Sequence, residues 1–450
     1  MLWLFSAAAL ARPSAGSGEM FAFKSDDVVE TYDLGVIRVH YSVEGPSLVL
    51  QGDEDQDGVP DFVQQVAEEA NLVLDFYAEE GFRYPVSEED MGLSNLGGSS
   101  AFDFYLVDFG GNSDGMFGID ACQGSICSGY MMMENDFQGY GYSSISEAVK
   151  VLTSHELFHA VQAAYNANQP SWLSEGSAVW AEWLYEPDVY DFYWFSNAYL
   201  GEADRSLHRP PAGVTTSFSY GTALFYAFMD EYFGEVRMVA LLEDLEGVSE
   251  EQMIEVVLDH LDDVETDWMT FAQWNLATGA RFGALDGYSF ARLITGIKTE
   301  AQGAMISEDH RFYPLATTYF LLEHEGGEVH FIYEGDEQDV TFSLHPTNED
   351  ARVLGSIKMW TVGEEPIFSM DLDAGKYWLI GALPKLTENS QKLAFCFGGA
   401  CERSQPEEVE AEADAASQEK SEESKNGCQA IDVTASSWLI LSFIAIRRRK

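Results

Sequence analysis

The stretch HELFHAVQ (residues 155–162), followed by WLSEGSAVWAEW (residues 172–183), decides the fold of this chain. His155 and His159 lie four residues apart, so on a helix both side chains project from one face. Two imidazoles placed in this way can share one metal ion, and Glu156 can point at a water molecule bound to that ion. Two helix histidines that make ordinary hydrogen bonds beside a surface glutamate are the alternative interpretation.

A catalytic zinc ion needs a third protein ligand and an open position for water. Glu175 follows His159 after a turn and would start the next helix, and an antiparallel helix pair would return its carboxylate to the two histidines. A site of the HExxHxxGxxH type is rejected, because Gln162 stands where that pattern needs Gly and Tyr165 where it needs His. A site in which Asp is the third zinc ligand is rejected as well, because the chain has no comparably placed Asp motif.

HELFHAVQ with WLSEGSAVWAEW resembles the gluzincins, notably the aminopeptidase N family with its HExxH and downstream NEGFAxYxE. It is more similar still to bacterial gluzincin-like proteins that carry HExxHAVQ with WLSEG. The resemblance implies a zinc metallopeptidase in which His155, His159 and Glu175 bind zinc and Glu156 is the general base. Glu182 matches the second acidic residue of the family's helix, which implies a hydrogen-bond partner for a ligand histidine. Ser174 replaces the usual Asn of the family.

The same resemblance implies two further site residues. Tyr220, in SYGTALFYAF, is similar to the start of the helix that supplies the family's tyrosine, whose hydroxyl donates to the oxyanion as charge develops. Packing within an aromatic-rich helix is the alternative role for this residue. Glu134, in Met133-Glu134-Asn135, lies where aminopeptidase N enzymes carry GAMEN on an edge strand, and it would bind the free amine of a substrate. Whether the enzyme would be an endopeptidase or an aminopeptidase stays open.

The segment DEDQDGVPD (residues 53–61) places carboxylates at alternate positions, with a glycine for a sharp bend. This spacing predicts a structural calcium site formed by Asp53, Asp55, Asp57 and Asp61. Gln64 stands at the twelfth position, so the loop is not an EF-hand, and it resembles the DxDxDGxxD loops of thrombospondin-type or dockerin repeats. A solvated acidic turn is the alternative interpretation.

The 450-residue chain carries 76 acidic and 24 basic residues, a net charge of −52. Such a surface disfavours nucleic acid and anionic lipid as partners. Cysteine spacing predicts two small disulfide loops, which favours an oxidising compartment, and zinc binding by the four cysteines is the weaker alternative. The proposed pairs are Cys122 with Cys127 and Cys396 with Cys401. An apolar run with Ala9-Leu10-Ala11 predicts an export signal over residues 1–18.

The patterning predicts an α+β fold in which a zincin-like catalytic domain, a mixed sheet plus helices, spans residues 19–305. Helices are expected over residues 61–82 and 146–164, with another beginning near Ser174. Short β-type runs then predict a β-sandwich-like domain over residues 306–401, which would recognise substrate, pack on the core or act as a spacer. Residues 402–427 contain almost no bulky apolar residues and are rich in Glu, Ser, Ala and Lys, a composition that predicts an acidic, disordered linker.

The C-terminal tail, residues 428–450, joins Cys428 to an apolar run and a terminal arginine cluster. It resembles the MYXO-CTERM class of bacterial sorting tails, which implies processing and attachment to the cell envelope through Cys428. A marginal membrane anchor is the alternative, and either role puts most of the chain outside the cytoplasm.

Two functions therefore compete, and a cytosolic peptidase, which free thiols at all five cysteines would favour, is a third possibility. The first is a secreted or cell-surface zinc peptidase that acts on peptides or proteins. The second is a surface-displayed, calcium-binding adhesion protein with a vestigial zincin core. The intact Glu156 favours the first, because a purely structural zinc site does not require it.

Overall fold

The computed structural model describes residues 12–14, 21–213, 215–233, 237–303, 306–334, 339–348, 352–362 and 367–398. These residues form a mixed α/β architecture with several sheets and helices, consistent with the predicted α+β class. Most of the predicted export signal and all of the predicted linker and tail lie outside the described residues. Among the helices that are described, none combines the length and the apolar character needed to cross a membrane.

The first sheet has the strand order β1-β2-β3-β5-β4. Strands β2, β3 and β5 are parallel, while β1 and β4 run antiparallel to their neighbours at the two edges. The bounds of these strands are β1 Val28–Leu34, β2 Ile37–Glu44, β3 Phe102–Val107, β4 Gly115–Gln123 and β5 Ile126–Glu134.

Both faces of the central strands are covered, which explains why β3 and β5 are almost continuously apolar. On one face, Phe104 and Met131 join the core that the helices build. On the other face, Tyr105 and Tyr130 pack with the N-terminal residues Phe21 and Phe23 in a smaller cluster. The N-terminal segment is therefore part of the first sheet's packing.

Helices follow and flank this sheet. The second helix begins at Ile145 and is capped by Ser144, whose side chain accepts a hydrogen bond from the Glu147 backbone N–H. The helix bounds are α1 Asp61–Glu79, α2 Ile145–Ala163, α3 Ser171–Tyr185, α4 Tyr190–Gly201, α5 Ser217–Gly221, α6 Ala223–Phe233, α7 Arg237–Asp244, α8 Met253–Asp259 and α9 Val264–Leu276.

The β-rich region begins at Thr299 rather than at residue 306, because β6 already belongs to its first sheet. Its two sheets have the orders β11-β10-β13-β8-β6 and β12-β9-β14-β7. Aromatic side chains meet between them, with the Phe320 and Phe395 rings 5.3 Å apart. The bounds are β6 Thr299–Gly303, β7 Ile306–Phe312, β8 Thr317–His324, β9 Gly327–Glu334, β10 Thr341–Thr347, β11 Lys358–Thr361, β12 Ile367–Leu372, β13 Gly375–Ala382 and β14 Gln391–Gly398.

The β-rich region packs directly on the helices. Leu315, Tyr319 and Trp378 belong to the same apolar core as the helices that follow the first sheet. The Tyr319 hydroxyl also donates to the Ala272 carbonyl in α9 over 3.0 Å. Of the three roles considered for this region, packing on the core is therefore the one that the structure shows.

We expect Trp378→Ala to lower the free energy of unfolding by about 3–5 kcal/mol, because it opens a cavity between the β-rich region and the helices. Trp378 is 4% exposed, whereas Met359 on β11 is 43% exposed, so Met359→Ala is the matched control and should change stability little. Urea unfolding of the full chain measures both. A loss below about 1 kcal/mol for Trp378→Ala would show that this contact contributes little.

Candidate metal centre

Helices α2 and α3 bring His155, His159 and Glu175 together at one buried point. The Nε2 atoms of the two histidines are 3.1 Å apart. The Glu175 Oε2 atom lies 3.3 Å from His155 Nε2 and 3.5 Å from His159 Nε2. The three predicted ligands thus converge through one atom each. Glu175 lies inside the first half of α3 rather than at its start, because α3 begins at Ser171.

The spacing of these three atoms fits a tetrahedral metal ion. Nitrogen and oxygen ligands lie about 2.0–2.1 Å from zinc, so two ligands of a regular tetrahedron are about 3.3–3.4 Å apart. The observed separations of 3.1, 3.3 and 3.5 Å bracket that value. The three atoms therefore define one face of a tetrahedron, which leaves the fourth position for water or substrate.

Each histidine is oriented by a partner on its other ring nitrogen. The Glu182 carboxylate pairs with His155 Nδ1, as the resemblance implies. His159 Nδ1 donates to Gln162 Oε1 over 2.8 Å, and the Gln162 amide donates in turn to the Ser174 carbonyl and the Ser177 hydroxyl, each at 2.8 Å. With Nδ1 engaged, each Nε2 faces the centre. The sequence interpretation missed this role of Gln162, although its i+3 spacing from His159 could have indicated it.

Glu156 lies beside the ligands and under the edge strand β4. It is fully buried, and neither of its carboxylate oxygens has a well-formed hydrogen bond to a described residue. Gly115 is so close that a Cβ at that position would lie 3.2 Å from Glu156 Oε1. Burial raises the pKa of Glu156, although the charges of His159 and His155 and, to a smaller extent, the Phe117 backbone N–H oppose this. The carboxylate therefore faces the space between the ligand helix and the edge of the sheet.

The surroundings of the site carry an excess of buried negative charge. Burial raises the pKa of Glu182 and that of Asp114 to about 7 each. Burial alone would raise the pKa of Glu175, but the hydrogen bonds from His155 and His159 outweigh it and lower that pKa. One oxygen each of Glu175, Glu182 and Asp114 has no hydrogen-bond partner among the described residues. Such orphaned carboxylate oxygens are costly without a cation, so the site fits a divalent metal ion.

Asp114 was not anticipated from the sequence. It precedes the edge strand, is completely buried, and accepts a 2.8 Å hydrogen bond from the Tyr142 hydroxyl. Its negative charge contributes to the raised pKa of Tyr220, and its own pKa is raised in part by Glu156. It thus belongs to the charged surroundings of the centre, although no motif in the sequence distinguishes it from the many other acids.

Tyr220 lies near the ligands, on the short helix α5. Its ring centroid is 6.0 Å from that of His155, and it stacks on Phe195 at 4.8 Å. Burial, followed by the charge of Glu175, raises its pKa well above the usual value, which keeps the hydroxyl protonated. Gly176 on α3 permits the close packing of α3 against the end of α5, because a Cβ at Gly176 would lie 2.0 Å from the Thr222 hydroxyl oxygen. The glycine of WLSEG is therefore required by packing.

Glu134 occupies a different environment from the one predicted. Its strand, β5, lies between β3 and β4, so the expectation that this strand forms the edge is wrong and β4 is the edge. The Glu134 carboxylate is buried and accepts hydrogen bonds from the Phe109 backbone N–H at 3.0 Å and the Tyr140 hydroxyl at 2.9 Å. The Glu134 carboxylate thus binds the backbone of the loop between β3 and β4 and holds this loop in place.

The acidic loop before α1 gathers three of the four predicted calcium ligands. Oxygens of Asp53, Asp55 and Asp61 lie within 4.8 Å of one another. The Asp57 carboxylate turns elsewhere and accepts from the Val59 backbone N–H and the Gln64 amide, each at 2.8 Å. The cluster is partly exposed, and exposed acids assemble in this way without an ion as well.

The cysteine predictions are confirmed in part. Cys122 and Cys127 form a disulfide across the β4–β5 hairpin, which is consistent with an exported protein. Cys396 is disulfide-bonded as well. Cys401 and Cys428 lie outside the described residues, so the second pair and the attachment point stay predictions.

Comparisons with known proteins add little. No protein-family model matches the chain, and no curated protein matches it. Among solved structures, one match is the periplasmic inhibitor of g-type lysozyme from Aeromonas hydrophila. The match covers 22% of this chain and 96% of the inhibitor. The two share 12% sequence identity with a TM-score of 0.16, and a likeness this small supports no conclusion about this chain.

We expect Glu182→Gln to weaken zinc binding about 10–100-fold, because His155 loses the carboxylate that orients it. Competition with a chromophoric chelator measures the affinity of the purified full chain. Asp188→Asn, an exposed change just beyond the same helix, is the matched control. An unchanged affinity for Glu182→Gln would mean that the pair with His155 does not support a metal ligand.

Proposed function

We propose that this protein is an exported zinc-dependent peptidase of the gluzincin type, with a zincin-like catalytic domain. The observation that carries the proposal is the tetrahedral spacing of His155, His159 and Glu175 beside Glu156, whose carboxylate has no well-formed hydrogen bond to any described residue. A structural zinc site closes all four positions with protein ligands, whereas a catalytic one keeps a position open. Three converging ligands with a free carboxylate next to them match the catalytic type.

The edge strand β4 supplies a place for the substrate. Its outer side faces no strand of the described sheet, and its first residue, Gly115, adjoins Glu156. An extended peptide can add to such an edge through backbone hydrogen bonds, which brings a peptide bond next to the catalytic groups. Because backbone bonding does not depend on side chains, we propose a peptide or protein substrate and leave the cleavage preference to experiment.

The residues of the site would then have distinct tasks. His155, His159 and Glu175 would hold a zinc ion, which when bound would supply Lewis-acid chemistry to a water molecule and to the scissile carbonyl. Glu156 accepts the proton of the attacking water on its free carboxylate and returns it to the leaving amine. Tyr220, held protonated by its burial, donates to the oxygen on which negative charge develops. Glu182 and Gln162 hold the two histidines in the orientation that this reaction requires.

The rival function is a surface-displayed, calcium-binding adhesion protein in which the metal centre is inactive. A retained but inactive centre would not need the buried carboxylate of Glu156, which lacks a well-formed hydrogen bond within the described part of the chain, since such a group destabilises the fold. The centre is therefore more consistent with catalysis.

We expect Glu156→Gln to reduce peptide hydrolysis at least about 100-fold while the protein keeps one zinc ion per chain, because the change removes the base but no ligand. Elemental analysis gives the zinc content, and a peptide library gives the activity and separates endopeptidase from aminopeptidase cleavage.

Glu79→Gln, an exposed change on α1, is the control for that experiment and should leave both quantities unchanged. A wild-type protein without zinc would refute the metal centre. Zinc-loaded Glu156→Gln protein that hydrolyses peptides at the normal rate would refute the role of Glu156 alone.

We also propose that Asp53, Asp55 and Asp61 bind a structural calcium ion. Hard oxygen ligands suit calcium, and the loop leads directly into α1, so an ion there would fix the start of that helix.

Calcium at 1 mM should raise the melting temperature of the full chain by roughly 3 °C or more, as expected when an ion binds only the folded state. The double variant Asp53→Asn, Asp55→Asn should lose this response, whereas Asp26→Asn, an exposed change before β1, should keep it. Differential scanning calorimetry with EGTA as the reference provides the measurement. A response that survives in the double variant would place calcium elsewhere.

Export and attachment complete the proposal. The Cys122–Cys127 disulfide is consistent with an oxidising compartment. We propose a location at the cell surface or outside the cell, with the tail from Cys428 as the envelope attachment that the MYXO-CTERM resemblance implies.

A further inference from the structure

The face of the first sheet that is turned away from the helices carries a pocket of three carboxylates. Asp103 comes from β3, Asp120 from the edge strand β4, and Glu88 from the loop after α1. The side chains of Asp103 and Asp120 are completely buried, and that of Glu88 is 6% exposed. Three carboxylates buried in one place repel one another, so this arrangement requires a cation.

Arg12 supplies that cation. Its Nε and Nη2 atoms donate to the two oxygens of Asp120 at 2.9 and 2.7 Å, a bidentate pair. Its Nη1 atom donates to Asp103 at 2.8 Å, and Nη2 also pairs with Glu88. The single guanidinium group of Arg12 thus contacts all three carboxylates.

The walls of the pocket suit the flat shape of a guanidinium group. The Arg12 guanidinium carbon lies 4.8 Å from the centroid of the Tyr130 ring, within the range of a cation–π contact. The second oxygen of Asp103 pairs with His40 at 2.6 Å, and Glu88 also accepts from the Leu96 backbone N–H at 2.9 Å. These contacts hold two of the carboxylates in place independently of Arg12.

The pocket connects with the surface of the domain. Arg12 and Glu88 both line a surface cleft whose wall includes Tyr84, and Tyr84 is 51% exposed. A small cation could therefore reach the carboxylates if the Arg12 side chain were missing. An ammonium ion would fill the site less well, because it lacks the planar fork that pairs with both oxygens of one carboxylate.

We propose that Glu88, Asp103 and Asp120 form a guanidinium-binding site whose resident ligand is Arg12. The site ties the N-terminal segment to β3 and to the edge strand β4, and it binds small guanidinium compounds when the Arg12 side chain is absent. A processing cut at residue 18 would remove this ligand, whereas a cut after Ala11 would leave it in place.

The test is chemical rescue of the full chain carrying Arg12→Ala. The variant should melt about 5 °C or more below the wild type, because it leaves buried carboxylates without their cation. Methylguanidinium at 10 mM should recover at least half of that loss, and methylammonium at 10 mM much less. Neither compound should stabilise the wild type, whose site is filled.

Arg38→Ala is the matched control, since Arg38 pairs with the largely exposed Asp33 on the neighbouring strands. It should show no rescue. Equal effects of methylguanidinium on Arg12→Ala, Arg38→Ala and the wild type, or no effect on any of them, would overturn the proposal.

If Arg12→Ala does not fold, the yield of refolding from urea replaces the melting temperature. Methylguanidinium should then raise the yield several-fold for Arg12→Ala, and the further change Asp120→Asn should abolish the increase. An increase that survives Asp120→Asn, or an unchanged yield for Arg12→Ala, would refute the site.

Discussion

The close approach of α2 and α3 is the constraint on which the rest of the molecule depends. It brings two imidazoles and several carboxylates into one buried region, where each charge must find a partner. Gln162 and Glu182 support that approach through hydrogen bonds between the two helices, while Gly176 lets α3 pack closely against Thr222, between α5 and α6. The sheet and the surrounding helices then close the region, and the edge strand β4 borders one side of it.

The parts of the centre that were predictable are those set by local geometry. A helix fixes the separation of His155 and His159, and the next helix returns Glu175 to them, so spacing in the sequence translates directly into proximity. The start of α1 and the span of α2 were likewise close to the prediction, because their apolar residues repeat with the helical period.

The parts that were not predictable depend on contacts between distant segments. The sequence does not predict strand β4 because it contains glycines, and only distant segments explain them: a Cβ at Gly118 would lie 2.5 Å from the Tyr130 ring on β5, and a Cβ at Gly115 would lie 3.2 Å from Glu156 on α2. Without β4, the strand that carries Glu134 would form the edge of the sheet. Asp114 gave no signal for a similar reason, since in a chain with 76 acidic residues burial alone distinguishes it.

The core that the helices share with the β-rich region also bears on how this protein can have changed over time. Tyr319 and Trp378 contribute to the same apolar cluster as α9. Each region would therefore expose apolar side chains to water if the other were removed. A module that is shuffled between genes must bury its own apolar residues before it is joined to a new partner. We therefore expect the β-rich region and the helices to be inherited as one unit, and their sequences to vary together at the contact.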